Sequence, residues 1–99
     1  MPTVLNGMEK HFVYMVCCAN GALYTGYSTD VPRRVDTHNA GRGSRYTRSN
    51  RPVELIATWA FDSKSEALRV ERAIKLLPHH QKRALAEAVD LVREDLPER

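Results

Sequence analysis

Between residues 12 and 27 the chain reads Phe12-Val13-Tyr14-Met15-Val16-Cys17, a short polar turn, then Ala22-Leu23-Tyr24-Thr25-Gly26-Tyr27. Two β-rich runs joined by Asn20-Gly21 are the strongest short-range signal for a β-hairpin. The hairpin constrains the rest of the chain, because its register decides which side chains share a face. A two-residue loop at Asn20-Gly21 would set Tyr14 opposite Tyr27 and send Tyr24 to the other face. For Tyr14 and Tyr24 to serve one site, the register must differ by one residue. The spacing therefore predicts a three-residue loop, Ala19-Asn20-Gly21, with Gly21 left-handed in a bulge, or a bulge elsewhere in the hairpin.

A helix is expected next, from about Asp30 to Asn39. Ser28-Thr29-Asp30 offers N-caps, and Pro32 falls in the first turn, where its missing N–H costs nothing. Val31 and Val35 form its apolar stripe. Arg34 and His38 are four residues apart and share a neighbouring face. Residues 41–52 read as a polar loop, because glycines and Pro52 argue against helix. A third strand spans about Val53 to Phe61. In it Leu55, Ala57 and Trp59 alternate with Glu54, Ile56 and Thr58, so both faces carry apolar residues and both should be covered.

Ser63 and Glu66 form a capping box that opens a helix running to about Leu77, with Ala67, Val70, Ile74 and Leu77 buried. Pro78 interrupts the chain. A last helix, about His79 to Arg93, should bury Leu85, Ala88, Val89 and Val92. His79 and His80 point in different directions at its start, which suits surface residues better than a metal pair. The order is ββαβαα: an α+β fold with a small antiparallel three-stranded sheet flanked by helices.

With 99 residues and 42% hydrophobic content, the chain is expected to form one domain over residues 11–95, with residues 1–10 as a flexible N-terminus. No apolar run is long enough to span a bilayer, and the N-terminus lacks the pattern of a signal peptide. Cys17 and Cys18 are adjacent and point to opposite faces of a strand, so they cannot form an ordinary bridge. They also lack metal-ligand spacing. A reducing cytoplasm is the expected location. The net charge is only +3, but residues 33–51 carry six arginines against one aspartate, while the stretch after Ala86 is acidic. Arg33, Arg42, Arg45, Arg48 and Arg51, with Tyr46 among them, form a candidate track for nucleic-acid phosphates, with the tyrosine available for stacking. The alternative for the same residues is a solvated loop.

The pattern Phe12-Val13-Tyr14, Tyr24-Thr25-Gly26, Arg34, His38, and Glu71 in Ala67-Leu68-Arg69-Val70-Glu71-Arg72-Ala73-Ile74-Lys75 resembles the GIY-YIG nuclease domain. It looks closest to the small stand-alone bacterial members, which are related to the N-terminal nuclease domain of the repair excinuclease. The resemblance covers about residues 11–85. It implies a metal-dependent endonuclease that hydrolyses DNA, at structured or damaged sites. RNA shares the same phosphate chemistry, and a partner protein could supply targeting.

On residues alone, Glu71 between Arg69 and Arg72 reads as a solvated salt-bridge partner. The resemblance makes it the metal-binding carboxylate, and one carboxylate with waters suits Mg²⁺ or Mn²⁺. Arg34 is either a surface charge or a bidentate clamp on the scissile phosphate. Tyr14 and Tyr24 either pack in the sheet or, as the resemblance implies, assist proton transfer, Tyr24 activating water and Tyr14 supporting it. A phenol needs a nearby cation for that work, its ordinary pKa being about 10. His38 is an alternative base or a phosphate donor. A second functional reading is a nucleic-acid-binding module of the same fold with weak or no catalysis.

Overall fold

The computed structural model of the chain describes residues 9–94, with side chains described as far as Val89. The first strand, β1 (His11–Cys17), is the centre of a three-stranded antiparallel sheet of order β2-β1-β3, flanked by β2 (Leu23–Ser28) and β3 (Glu54–Phe61). Four consecutive residues of β1, Val13 to Val16, are buried. Both faces of the sheet are therefore covered, and each buried Val or Met side chain adds roughly 1.5–3 kcal/mol of apolar transfer free energy.

The hairpin has the three-residue loop that the shared face required. Tyr14 pairs with Gly26 and Cys17 with Leu23. Cys18 N–H donates to the Ala22 carbonyl at 2.8 Å, and Gly21 N–H to the Cys18 carbonyl at 2.8 Å. Gly21 has φ +87°, the left-handed conformation that glycine adopts without a Cβ clash.

One face of the sheet packs Val13, Met15 and Ala57 against Ala67 and Ile74 of α3 (Lys64–Lys75) and Ala86 of α4 (His79–Glu94). The other packs Tyr14 and Val16 with Val31 of α1 (Val31–Asn39), Cys18 and Val53. Asp30 caps α1, its carboxylate accepting the Arg33 N–H at 3.2 Å. Ser63 caps α3 by accepting the Glu66 N–H at 3.1 Å. Cys18 is buried and Cys17 half-buried, and both are free thiols.

The structure differs from the sequence reading in three places. First, Met15 pairs with Ala57 but Val16 pairs with Leu55, so Ile56 is an extra residue in a β-bulge. The bulge sends Leu55 to the Tyr14 face and Ile56 to the Ala57 face, the reverse of simple alternation. Second, the polar loop contains a short helix, α2 (Arg45–Ser49). Ser44 caps it, accepting the Thr47 N–H at 3.1 Å, and both glycines and Pro52 lie outside its five residues. Third, α4 buries Ala86, while Ala88 is exposed. The side chain of Val92, most of the acidic tail and residues 1–8 of the expected flexible N-terminus lie outside the described residues. Among the described residues no helix is long and apolar enough to cross a membrane.

Two side chains fix the connection from α1 to β3. Asn39 mimics a strand partner: its Oδ1 accepts the Val53 N–H at 2.7 Å and its Nδ2 donates to the Val53 carbonyl at 3.1 Å. Arg51 donates from Nε to the Arg48 carbonyl at 3.1 Å and from Nη1 to the Asn39 carbonyl at 3.3 Å.

Candidate active site

The hairpin register puts Tyr14 and Tyr24 on the sheet face that carries α1. One helical turn of α1 puts Arg34 and His38 above them. His38 sits between the tyrosines: its Nε2 is 2.8 Å from the Tyr14 hydroxyl, and its ring meets the Tyr24 ring edge-on with centroids 5.3 Å apart. Its other nitrogen, Nδ1, is 2.8 Å from Thr47 Oγ1. Tyr14, His38 and Thr47 are 1%, 2% and 0% exposed, so the chain of hydrogen bonds is closed to bulk water.

Gly26 and Gly43 make room for this arrangement. A Cβ on Gly26 would lie 2.5 Å from Tyr14 Cζ and 2.8 Å from its Cε2. A Cβ on Gly43 would lie 2.8 Å from His38 Cε1 and 2.9 Å from its Cγ. The Tyr14 ring crosses the bare backbone of β2, and the loop before α2 passes over the bare imidazole.

A polar cavity of about 270 Å³ opens beside these rings, lined by Tyr24, Arg34, His38, Arg42, Gly43 and Ser44. A second polar cavity of about 230 Å³ lies on the other side of Arg34 and is lined by Ser28, Arg33 and Thr37 among others. Arg34 is thus a wall between two recesses, each with a further arginine. A larger cavity of about 340 Å³ is lined mainly by Phe12, Val31, Pro32 and Leu55. Its one titratable side chain, Asp30, is committed to capping α1. Size alone does not locate the chemistry; the polar cavity with the arginine and tyrosine does.

The electrostatics follow from burial and from Arg34. Burial, with the Arg34 charge second, lowers the pKa of His38 below its ordinary value, so the imidazole is neutral at pH 7. Burial pushes the Tyr14 phenol up to about 12, with Tyr24 and Glu71 adding to the rise and the Arg34 guanidinium opposing it. Tyr14 and His38 are then two neutral groups sharing a proton beside a permanent cation.

Glu71 comes from α3, on the opposite face of the sheet, yet its charge acts on Tyr14. Its side chain is 16% exposed and pairs with Lys75 Nζ at 3.2 Å, one turn along the helix. Among the described residues no three His, Cys, Asp or Glu side chains gather into a metal-binding cluster. A single carboxylate of this kind does not fit a zinc site, but it fits a hard cation that keeps most of its water, such as Mg²⁺ or Mn²⁺.

The structure brings together Tyr14, Tyr24, Arg34 and His38, with Glu71 within electrostatic reach. Of the basic track, Arg42 lines the site cavity and Arg33 the second recess. Arg45 and Arg48 are exposed on α2. Tyr46 is 44% exposed, its hydroxyl accepting from Asn20 Nδ2 at 3.0 Å. Arg51 is exposed too, but it also clasps the loop. His79 is an exposed residue whose Nε2 lies 3.3 Å from the Gly21 carbonyl, in keeping with a surface role. Sequence reasoning missed Gly43, Ser44 and Thr47. Ser44 three residues before Thr47 is an N-cap spacing, and that signal would have found the short helix that delivers Thr47 to His38.

A sheet-borne tyrosine pair facing a helix-borne arginine and histidine, with a glutamate on a later helix, defines the class. The family model described as the GIY-YIG catalytic domain matches residues 10–83, and the chain belongs to that family. Within it the chain is similar to small UPF0213 proteins. It is 50% identical over 80 residues to one from Staphylococcus haemolyticus, covering 81% of this chain and 98% of that protein. It is 57% identical over 75 residues to one from Halobacterium salinarum, covering 76% and 97%. The solution NMR structure of a UPF0213 protein from Bacillus halodurans is 47% identical with a TM-score of 0.53, covering 80% of this chain and 84% of that one. That of an E. faecalis protein is 32% identical with a TM-score of 0.56, covering 96% and 98%. The α+β fold with its three-stranded antiparallel sheet is that of the family.

Proposed function

We propose that the protein is a divalent-metal-dependent endonuclease that hydrolyses DNA phosphodiester bonds. The observation that carries the reading is the convergence of Tyr24, Arg34 and His38 on one small polar cavity, with buried Tyr14 hydrogen-bonded to His38 behind it. Arg34 holds the scissile phosphate with its planar fork and stabilises the charge that builds on it. Water attacks phosphorus and the bond to the 3′ oxygen breaks, the 3′ oxygen taking a proton from solvent. Tyr24, on the cavity wall, is the proposed acceptor of the attacking water's proton, its own phenolic proton passing by way of Tyr14 to His38 Nε2. Mg²⁺ or Mn²⁺ held by Glu71 would supply Lewis acidity to the phosphate and to the leaving oxygen. Arg42 and the exposed arginines of α2 track the flanking phosphates.

The test is cleavage of labelled single-stranded, nicked, flapped and branched DNA with Mg²⁺ or Mn²⁺. Wild type, Glu71→Ala and Tyr24→Phe are compared side by side. Cleavage by wild type alone supports the reading; inertness toward every substrate refutes it.

One observation favours a second reading, a nucleic-acid-binding module without efficient catalysis. Glu71 already has a partner in Lys75, and that ion pair competes with a metal. The second reading expects salt-sensitive DNA binding that Glu71→Ala leaves unchanged.

A further inference from the structure

We infer that Thr47 is a positioning residue that holds His38 as the Nδ1–H tautomer, leaving Nε2 to accept the Tyr14 hydroxyl proton. Its catalytic consequence rests on the nuclease reading; its geometry does not. A neutral imidazole has one donor and one acceptor nitrogen. The two His38 nitrogens each have one buried hydroxyl partner at 2.8 Å, so one partner donates and the other accepts.

Thr47 has a single proton and an acceptor other than His38. Its Oγ1 lies 3.1 Å from the Ser44 carbonyl, which can only accept. The Ser44 hydroxyl, also 3.1 Å from Oγ1, can donate to it while accepting the Thr47 N–H. At the other end of the chain, Nε2 of a ring protonated at Nδ1 can only accept, and the Tyr14 hydroxyl 2.8 Å away supplies the proton. The direction is consistent throughout: Tyr14 donates to His38, His38 to Thr47 and Thr47 to the Ser44 carbonyl. The opposite tautomer would strip Thr47 from that carbonyl.

The surroundings fit a part built for this contact. Thr47 is the buried residue of α2. Gly43 admits the loop over the imidazole. When the Tyr14 oxygen takes a proton from the site, its own proton moves to Nε2 and His38 becomes imidazolium. The tautomer thus makes the Tyr14–His38 pair a proton acceptor rather than a donor.

The test uses the full chain labelled with ¹⁵N-histidine and long-range ¹H–¹⁵N correlation spectra, which separate the two tautomers. Tyr14→Phe identifies His38 among the four histidines. The expected result is an Nδ1–H ring in wild type, a mixture of tautomers in Thr47→Val, and the wild-type state restored in Thr47→Ser. An Nε2–H ring in wild type overturns the inference, as does an unchanged tautomer in Thr47→Val. Should Thr47→Val fail to fold, the wild-type and Thr47→Ser spectra still decide. Where wild type cleaves a fluorescent flapped duplex with Mg²⁺, Thr47→Val should lower kcat about 10–100-fold with KM unchanged, as loss of an orienting partner does elsewhere. Thr47→Ser should stay within about threefold of wild type on the same scale. An unchanged kcat in Thr47→Val overturns the positioning role. Absence of cleavage by wild type defeats the nuclease reading and leaves the spectra to judge Thr47.

Discussion

Gly26→Ala is expected to be among the costliest single-methyl additions in this fold. The new Cβ would lie 2.5 Å from Tyr14 Cζ and 2.8 Å from Cε2, where ordinary contact begins at 3.4 Å. The backbone at Gly26 cannot retreat, because it is paired to Tyr14 within the ladder. The ring must move instead by about 1 Å to regain an optimal separation. Tyr14 is 1% exposed and tied to His38 at 2.8 Å, so moving it strains a full core and breaks a buried hydrogen bond. Overpacking costs about 1–3 kcal/mol. A buried polar group left unpaired costs a further 1–3 kcal/mol or so. The sum, about 2–5 kcal/mol, is a large share of the roughly 5–15 kcal/mol that holds a small domain. In a domain of this size it corresponds to a Tm drop on the order of 10–20 °C. Urea unfolding followed through Trp59, the single tryptophan of the chain, reads it directly. The decisive form is a double-mutant cycle with Tyr14→Leu, which removes the ring from above Gly26. The cost of Gly26→Ala should fall below about 1 kcal/mol in that background, a coupling well outside the additive range. Additive costs would refute the reasoning.

Arg34→Lys removes the planar fork while keeping the charge, and kcat on cleavable DNA should fall about 10²–10³-fold, measured by initial rates. The lowered pKa of His38 means that the unfolded chain binds the proton first. Its stabilising contribution is full above the unfolded value of about 6.5 and is lost as pH falls below it; His38→Gln should flatten that acid limb in urea titrations. Tyr14 has the opposite sign, its phenol being raised from 10.0 to about 12. Its contribution, on the order of 2–3 kcal/mol, is full below pH 10 or so and lost toward pH 12, and Tyr14→Phe should remove that loss. Neutralising Arg42 or Arg45 should weaken DNA binding at every sequence and reduce the slope of log K against log salt by about one each, read by fluorescence anisotropy.

How much of this was legible beforehand depends on whether the information was local. The hairpin was, because Asn20-Gly21 names its own turn, and the need for Tyr14 and Tyr24 on one face then selects a three-residue loop. The helix of Arg34 and His38 was local too: Asp30 caps it, and one turn separates the two side chains. The bulge at Ile56 was not. Period-2 alternation assigns Leu55 and Ile56 to the wrong faces, and nothing in Glu54-Leu55-Ile56-Ala57 marks the extra residue; the bulge packs the two side chains, each half-buried, against opposite faces of the sheet. Helix α2 was hidden for another reason. Its glycines and Pro52 are breakers, but they bound five residues instead of interrupting them, and Ser44 supplies the missing cap. Thr47 was the deepest omission. A threonine in an arginine-rich loop reads as solvated, and its value appears only when residues 38 and 47 meet. The site thus has two layers. The groups proposed to touch substrate carry their chemistry in their identity, so the sequence alone nominates them. The groups that aim them, Gly26, Gly43 and Thr47, act by what they omit or by a single hydroxyl, and only the fold shows where those small features fall.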